Sequence, residues 1–255
     1  MRQKNREAGV VIGLRSRRAI YLLPNLFTTA GMFAGFFAII KASQGQFDWA
    51  AGAVFFAMVM DALDGRIARW TNTTSEFGLQ YDSLSDLIAF GLAPALVMYE
   101  WGLTHLGKAG WLAAFFYVAM AAARLARFNT QEGQDKRYFQ GLPSPAAAAV
   151  MVSAVWVLQS AGLETRGFQI MAALLTVAVG TVMFSNVSYR SFKDVQFKGM
   201  RALIVLIWVI ILLVWEPRTL FLVFFAYFLS GPVLWLWRRR QKGTDDVPKL
   251  KNTGA

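Results

Sequence analysis

Asp61-Ala62-Leu63-Asp64-Gly65-Arg66-Ile67-Ala68-Arg69, followed after eight residues by Gly78-x-x-x-Asp82-x-x-x-Asp86, decides how this chain is read. Four of its nine aspartates fall in this stretch, flanked by strongly apolar sequence. An acid at mid-bilayer costs about 2.5 to 3.5 kcal/mol on insertion scales, so four together call for cations that neutralise them. On helices, Asp61, Asp64, Gly65 and Ala68 fall at i, i+3, i+4 and i+7, and Gly78, Asp82 and Asp86 are spaced by four. Two helices can therefore turn all four carboxylates into one cleft. Glycine and alanine on the same face strip away bulk, so a large flat group can reach the backbone. An all-carboxylate site suits hard cations such as Mg²⁺ or Mn²⁺, which keep open positions for substrate phosphates.

The surroundings of this stretch set the class. A chain of 255 residues that is 56% apolar and 15% aromatic, with a mean hydropathy of +0.42, is too apolar for a soluble domain of this length. It reads as an all-α, polytopic integral membrane protein. Apolar runs of about 20 residues, the length that spans a bilayer, sit near 22–42, 48–68, 83–103, 110–127, 145–162, 168–186, 201–216 and 219–237. That makes about eight transmembrane helices. The last two are separated only by Trp215-Glu216-Pro217-Arg218, and they form a re-entrant hairpin if one fails to cross. The expected organisation is a juxtamembrane segment at 1–20, a catalytic helical domain at 21–190, two further spans within 191–238 and a solvated tail at 239–255. In the first of these, Val10, Val11, Ile12 and Leu14 interrupt a basic run, as in an amphipathic helix lying on anionic headgroups; a disordered basic tail is the alternative. No short apolar core with a cleavage site follows, so it is not read as a signal peptide.

The formal net charge of +11 could signal nucleic acid, but its distribution points to topology. Of the 26 lysines and arginines, Lys41, Lys108, Arg166 and Arg218 fall on one set of alternate connections, and the other 22 (26 − 4) fall on the opposite set. By the positive-inside rule this predicts an even number of spans, with both termini and the acidic cleft facing the cytoplasm, most naturally at a bacterial inner membrane. No nucleic-acid partner is expected. The absence of cysteine excludes disulfides and thiolate chemistry.

The spaced motif, residue for residue, resembles the signature of the CDP-alcohol phosphotransferases. That resemblance implies a two-metal membrane enzyme acting on a CDP-activated lipid or alcohol. It makes Asp61, Asp64 and Asp82 metal ligands, with Asp86 both a ligand and the base that takes the acceptor hydroxyl's proton. Gly65, Ala68 and Arg69 would line the CDP site with Asp61 and Thr74, and Gly78 would let helices approach closely. Asn25 and Thr28, in Pro24-Asn25-x-x-Thr28, would contribute to the nucleotide wall or cap a helix start. Ser75-Glu76-Phe77-Gly78, Phe90-Gly91-Leu92-Ala93-Pro94, Ala123-Arg124-Leu125-Ala126-Arg127-Phe128-Asn129 and Gly141-Leu142-Pro143-Ser144-Pro145 are similar to stretches of the membrane-embedded phosphatidylserine synthases. The likeness runs from Pro24 to about Asn186. It implies CDP-diacylglycerol and L-serine as substrates, two divalent cations (Mg²⁺ or Mn²⁺) as cofactors, and a homodimer among membrane lipids.

Arg124 and Arg127, at i and i+3, together with Asn129, are expected to form a pocket for serine or a phosphate; membrane anchoring by snorkelling is the alternative for the arginines. Gly31-x-x-x-Gly35 suits close helix packing or dimerisation. His105 falls in an outer loop, away from the cleft. The nearest rival reading is another CDP-alcohol phosphotransferase using glycerol phosphate, inositol phosphate or choline. A divalent-cation transporter is the rival of a different class, and the lack of matching acids in a second half speaks against it.

Overall fold

A computed structural model describes residues 24–71, 73, 75–130, 138–190 and 216–245. The chain is an integral membrane protein built of helices. In order these are α1 (Pro24–Ser43), α2 (Phe47–Trp70), α3 (Glu76–Trp101), α4 (Lys108–Thr130), α5 (Ser144–Ser160), α6 (Arg166–Phe184) and α7 (Pro217–Asp245). Five of them, α1, α3, α4, α6 and α7, are long and apolar enough to cross a membrane. α2 has the length, but it carries the acids and arginines of the quoted stretch. Seven of the eight expected spans thus have a helix. The eighth, near 201–216, lies outside the described residues, as do the segment 1–20 and the end of the tail.

α5 sits at the centre. Only 17 residues long, it has eleven buried positions, including the whole run Ala146–Val155. A helix that is apolar all round belongs in a core, and its alanines let α2, α3 and α7 approach from different sides. α4 packs on α6 and on α3. α1 meets α3 at Gly35, where a Cβ would lie 2.6 Å from the Ala89 Cα, and Gly31 faces Ala57, Met60 and Ser85. The Gly-x-x-x-Gly pair is therefore used inside the chain, against its own α2 and α3, and not as a free dimerisation face.

α3 departs from the expected pattern in two ways. α3 begins at Glu76, seven residues before the expected span, because Ser75 caps it: the Ser75 Oγ accepts from the Gly78 N–H at 3.0 Å. It then widens to a π-helical stretch over Leu87–Leu92. In an α-helix the Phe90 carbonyl would be served by the N–H of residue 94, but residue 94 is proline. Tyr117 on α4, fully buried, donates its hydroxyl to that carbonyl at 2.9 Å. α7 repeats the arrangement. Pro232 removes the donor for the Phe228 carbonyl, and buried Tyr189 donates to it at 2.8 Å, its ring lying where a Cβ on Gly231 would be. Broken helices at membrane depth persist where neighbours resatisfy the freed backbone groups in this way.

Tyr189 belongs to an element the sequence did not announce, a two-stranded antiparallel ribbon of Tyr138–Gln140 (β1) and Ser188–Arg190 (β2), with Phe139 opposite Tyr189. It joins the entry to α5 to the exit of α6 at the end where the acids lie. Gly141 follows β1 with φ of +78°, packed on the Met183 carbonyl, where a side chain would collide with backbone.

Candidate active site

The second half of α2 carries Asp61 and Asp64, and the first half of α3 carries Asp82 and Asp86. One carboxylate oxygen from each of Asp61, Asp64 and Asp82 lies within 4.8 Å of the others. At an effective dielectric near 20, like charges at that separation repel by about 3 kcal/mol or more per pair, so the arrangement demands positive charge among them. Asp86 lies one helical turn beyond Asp82. It shares with the other three acids, Thr28, Ser85 and Phe90 a recess of about 10 Å³, the room of a single small guest. The donors are carboxylate oxygens alone, the set that hard divalent cations take.

α1 is stitched to both acidic helices at this level. The Thr28 hydroxyl has one proton and two acceptors in reach, Asp64 Oδ2 at 2.7 Å and the Pro24 carbonyl at 3.1 Å, and the shorter contact is to the charged group. Ser85 on α3 donates to the Thr28 carbonyl at 2.9 Å. The Thr29 and Tyr81 hydroxyls meet at 2.9 Å. The second turn of α1 is thereby fixed over the carboxylates.

Beside the recess opens a cleft of about 490 Å³. Asn25 and Thr28 from α1, Gly65, Ala68 and Arg69 from α2, and Gly78 from α3 all line it, together with Asp64 and Asp82. Asp61 lines the recess and not the cleft wall. Thr74 lies outside the described residues. A Cβ on Gly65 would meet nothing but the Arg69 guanidinium, at 3.8 Å, so the absent side chain leaves backbone open to the cleft. A Cβ on Gly78 would instead press on Ser75 Oγ and approach Asn25 Oδ1, at 3.2 and 3.7 Å, so this glycine lets the starts of α1 and α3 converge. Thr73 and Leu79 also line the cleft and were missed. Thr73 sits in the polar connector, where nothing in local spacing marks it.

Arg124, Arg127 and Asn129 do not act as one group. Arg124 is nine-tenths buried, donates to Ser144 Oγ at 2.9 Å, and its charge bears on Asp86 and Asp61. Its Nε is buried without a hydrogen-bond partner among the described residues. Arg127 turns to the end of α6, where it donates to the Phe184 carbonyl and to Asn186 Oδ1 at 3.0 Å, with its guanidinium 3.9 Å from the Phe184 ring centre. The last carbonyls of a helix lack intrahelical donors, and Arg127 supplies one. Asn129 returns to α3, donating to Ser83 Oγ at 2.9 Å, one residue from Asp82. Of the three, Arg124 alone is directed at the acids.

Comparison with known proteins adds a second line. Residues 21–184, or 164 of 255 positions, match the family described as CDP-alcohol phosphatidyltransferase. A CDP-diacylglycerol–serine O-phosphatidyltransferase of Helicobacter pylori is 36% identical over 219 residues, covering 86% of this chain and 92% of that one. One from Mycobacterium leprae is 38% identical over 146 residues, covering 54% and 48%. An archaetidylserine synthase of Methanothermobacter thermautotrophicus is 33% identical over 171 residues, covering 66% and 69%. With the acid cluster and the glycine-walled cleft beside it, these likenesses lead to one conclusion: the chain belongs to the CDP-alcohol phosphatidyltransferase family.

Proposed function

We propose that this chain transfers the phosphatidyl group of CDP-diacylglycerol to the hydroxyl of L-serine, giving phosphatidylserine and CMP. The observation that carries the reading is the convergence of Asp61, Asp64 and Asp82 at the head of a cleft whose wall is bare backbone at Gly65. Relatives named for serine transfer, aligned along most of the chain, supply the acceptor.

In this reading Asp61, Asp64, Asp82 and Asp86 would hold two divalent cations, Mg²⁺ or Mn²⁺, which would supply charge neutralisation for the pyrophosphate oxygens and the departing CMP. The chain's own part is positioning, the larger share of phosphoryl-transfer catalysis. Asn25, Arg69 and the Gly65 backbone hold the CDP portion in the cleft. Thr28 fixes the orientation of Asp64 through its 2.7 Å contact. Asp86 accepts the proton of the serine hydroxyl as the new O–P bond forms on the phosphorus bonded to diacylglycerol, and the bridging P–O bond breaks with its electron pair leaving on CMP. Arg124, held by Ser144, offers a planar fork to the serine carboxylate. The cleft faces the cytoplasm of a bacterial inner membrane, 21–190 is the catalytic unit, and the protein works as a homodimer.

The test is to supply purified protein with CDP-diacylglycerol, a divalent cation and a panel of labelled alcohols. Serine is expected to give labelled lipid and stoichiometric CMP. Product with glycerol phosphate or inositol phosphate and none with serine overturns the acceptor while leaving the family intact.

A further inference from the structure

On α1, Phe33, Phe37 and Lys41 recur every fourth residue, and on α2 Asp48, Gly52 and Phe56 do the same. Because the two helices run antiparallel through the short turn at 44–46, Lys41 and Asp48 stand level at one membrane surface, each above a ladder of its own helix, Phe37 and Phe33 on α1 and Gly52 and Phe56 on α2. Between the ladders lies a wedge of about 430 Å³, with Trp49 on its α2 wall and Trp156 of α5 lining it as well. Gly52 keeps it open, since a Cβ there would meet nothing within 4 Å. Phe33 and Trp49 are about two-thirds exposed, at 66% and 63%.

The rim is charged, which a groove for hydrocarbon alone does not need. Among the described residues Asp48 makes no hydrogen bond and no ion pair. Lys41 stands at the rim, over a lining residue: its Nζ lies 5.3 Å from the Phe37 ring centre and donates to Gln46 Oε1 at 2.9 Å and to Gln44 Oε1 at 3.4 Å. An anionic headgroup would meet the Asp48 carboxylate, and a purely cationic one would meet Lys41. A headgroup carrying both charges answers both. We propose that this wedge binds a zwitterionic aminophospholipid, with its ammonium on Asp48 between Trp49 and Trp156, its phosphate on Lys41 and an acyl chain along the phenylalanines. Indole faces favour an ammonium, and tryptophan is at home at interfacial depth. Asp48 and Asp61 are 13 residues apart on one helix (61 − 48), about 20 Å at 1.5 Å per residue. The lipid site therefore belongs to the leaflet opposite the acidic cleft and stands independently of the acceptor the enzyme uses.

Native mass spectrometry of the purified full-length protein, loaded with an equimolar mixture of phosphatidylethanolamine and phosphatidylglycerol of matched chains, tests this. The wild-type protein is expected to retain phosphatidylethanolamine over phosphatidylglycerol by about fivefold, the most a single exposed ion pair supplies. Asp48→Asn should bring the two to near parity, and Lys41→Gln should lower both, with transferase turnover unchanged in each variant. Equal retention by the wild type, or a preference that survives Asp48→Asn, overturns the proposal. So does a Phe56→Cys chain that forms a dimeric disulfide in membranes, because the chain has no other cysteine and a second copy would then cover the wedge.

Discussion

Thr28→Val keeps the shape of the side chain and removes the hydroxyl that donates to Asp64. The lost contact is a charge-assisted hydrogen bond of 2.7 Å in a buried setting, and such bonds contribute about 1.5 to 3 kcal/mol. At 1.36 kcal/mol per decade this corresponds to roughly 10- to 150-fold. An independent guide agrees, since removing the hydrogen-bond partner of a metal-holding side chain costs about 10- to 100-fold in metal affinity. The assay is CMP release at saturating CDP-diacylglycerol and serine across a titration of Mg²⁺ or Mn²⁺. The half-saturating metal concentration should rise by one to two decades, with most of the turnover restored at high metal, and Thr28→Ser should stay near wild type. A midpoint that does not move in Thr28→Val, at matched protein levels, would refute the assignment of Asp64 to the metal and of Thr28 to its orientation.

Other substitutions probe different links. Asp82→Asn should abolish transfer while leaving the protein in the membrane; turnover above about a tenth of normal at saturating metal would contradict a central role for that acid among the four proposed to hold the two cations. Gly35→Ala places a methyl 2.6 Å from the Ala89 Cα, so thermal unfolding in detergent should show a loss of about 1 to 3 kcal/mol from overpacking; an unchanged midpoint would mean that α1 and α3 are not that close. Tyr117→Phe and Tyr189→Phe each strand a buried carbonyl and should cost about 1 to 3 kcal/mol by the same measurement. Pro94→Ala returns a backbone N–H and should shrink the Tyr117→Phe loss in a double-mutant cycle, and additive losses would refute the link between the proline and the tyrosine. Arg124→Lys should raise the serine KM more than the CDP-diacylglycerol KM because the planar fork is lost, whereas Arg127→Lys should mainly lower the unfolding midpoint. The reverse assignment would show that Arg127 is the one facing substrate.

The acid cluster was legible because its chemistry is written in local periods: i, i+3 on one helix and i, i+4 on the next bring side chains to a face without reference to the rest of the chain. Gly65 and Gly78 were legible for the same reason, and so were the helices, since a long apolar run has few other folds available in a bilayer. What escaped depends on pairings between distant residues. Arg124 and Arg127 share a helical spacing that suggested a common pocket, yet Ser144 draws one inward and the open carbonyl end of α6 draws the other away. The Gly31 and Gly35 pair reads equally well as an internal or an external seam, and only the position of Ala89 decides between them. The β-ribbon is three residues on each side, too short to impose alternation on a sequence, and the start of α3 was misplaced because its first turns, Glu76 to Asp82, are polar for the sake of the site.

The two proline-interrupted helices bear on how the protein is made. A helix whose carbonyls are all served can enter the bilayer as a finished unit and pack afterwards, as the two-stage picture has it. α3 cannot, because the hydroxyl that completes it arrives with Tyr117, after another connection has been synthesised. α7 is in the converse position: Tyr189 is already in place when Phe228 emerges. Insertion of α3 is thus provisional until α4 joins it, and the last helix docks onto a partner that has been waiting for it. A chain truncated before Tyr117 would leave the carboxylate-bearing helix itself unfinished in lipid, with the Phe90 carbonyl unserved.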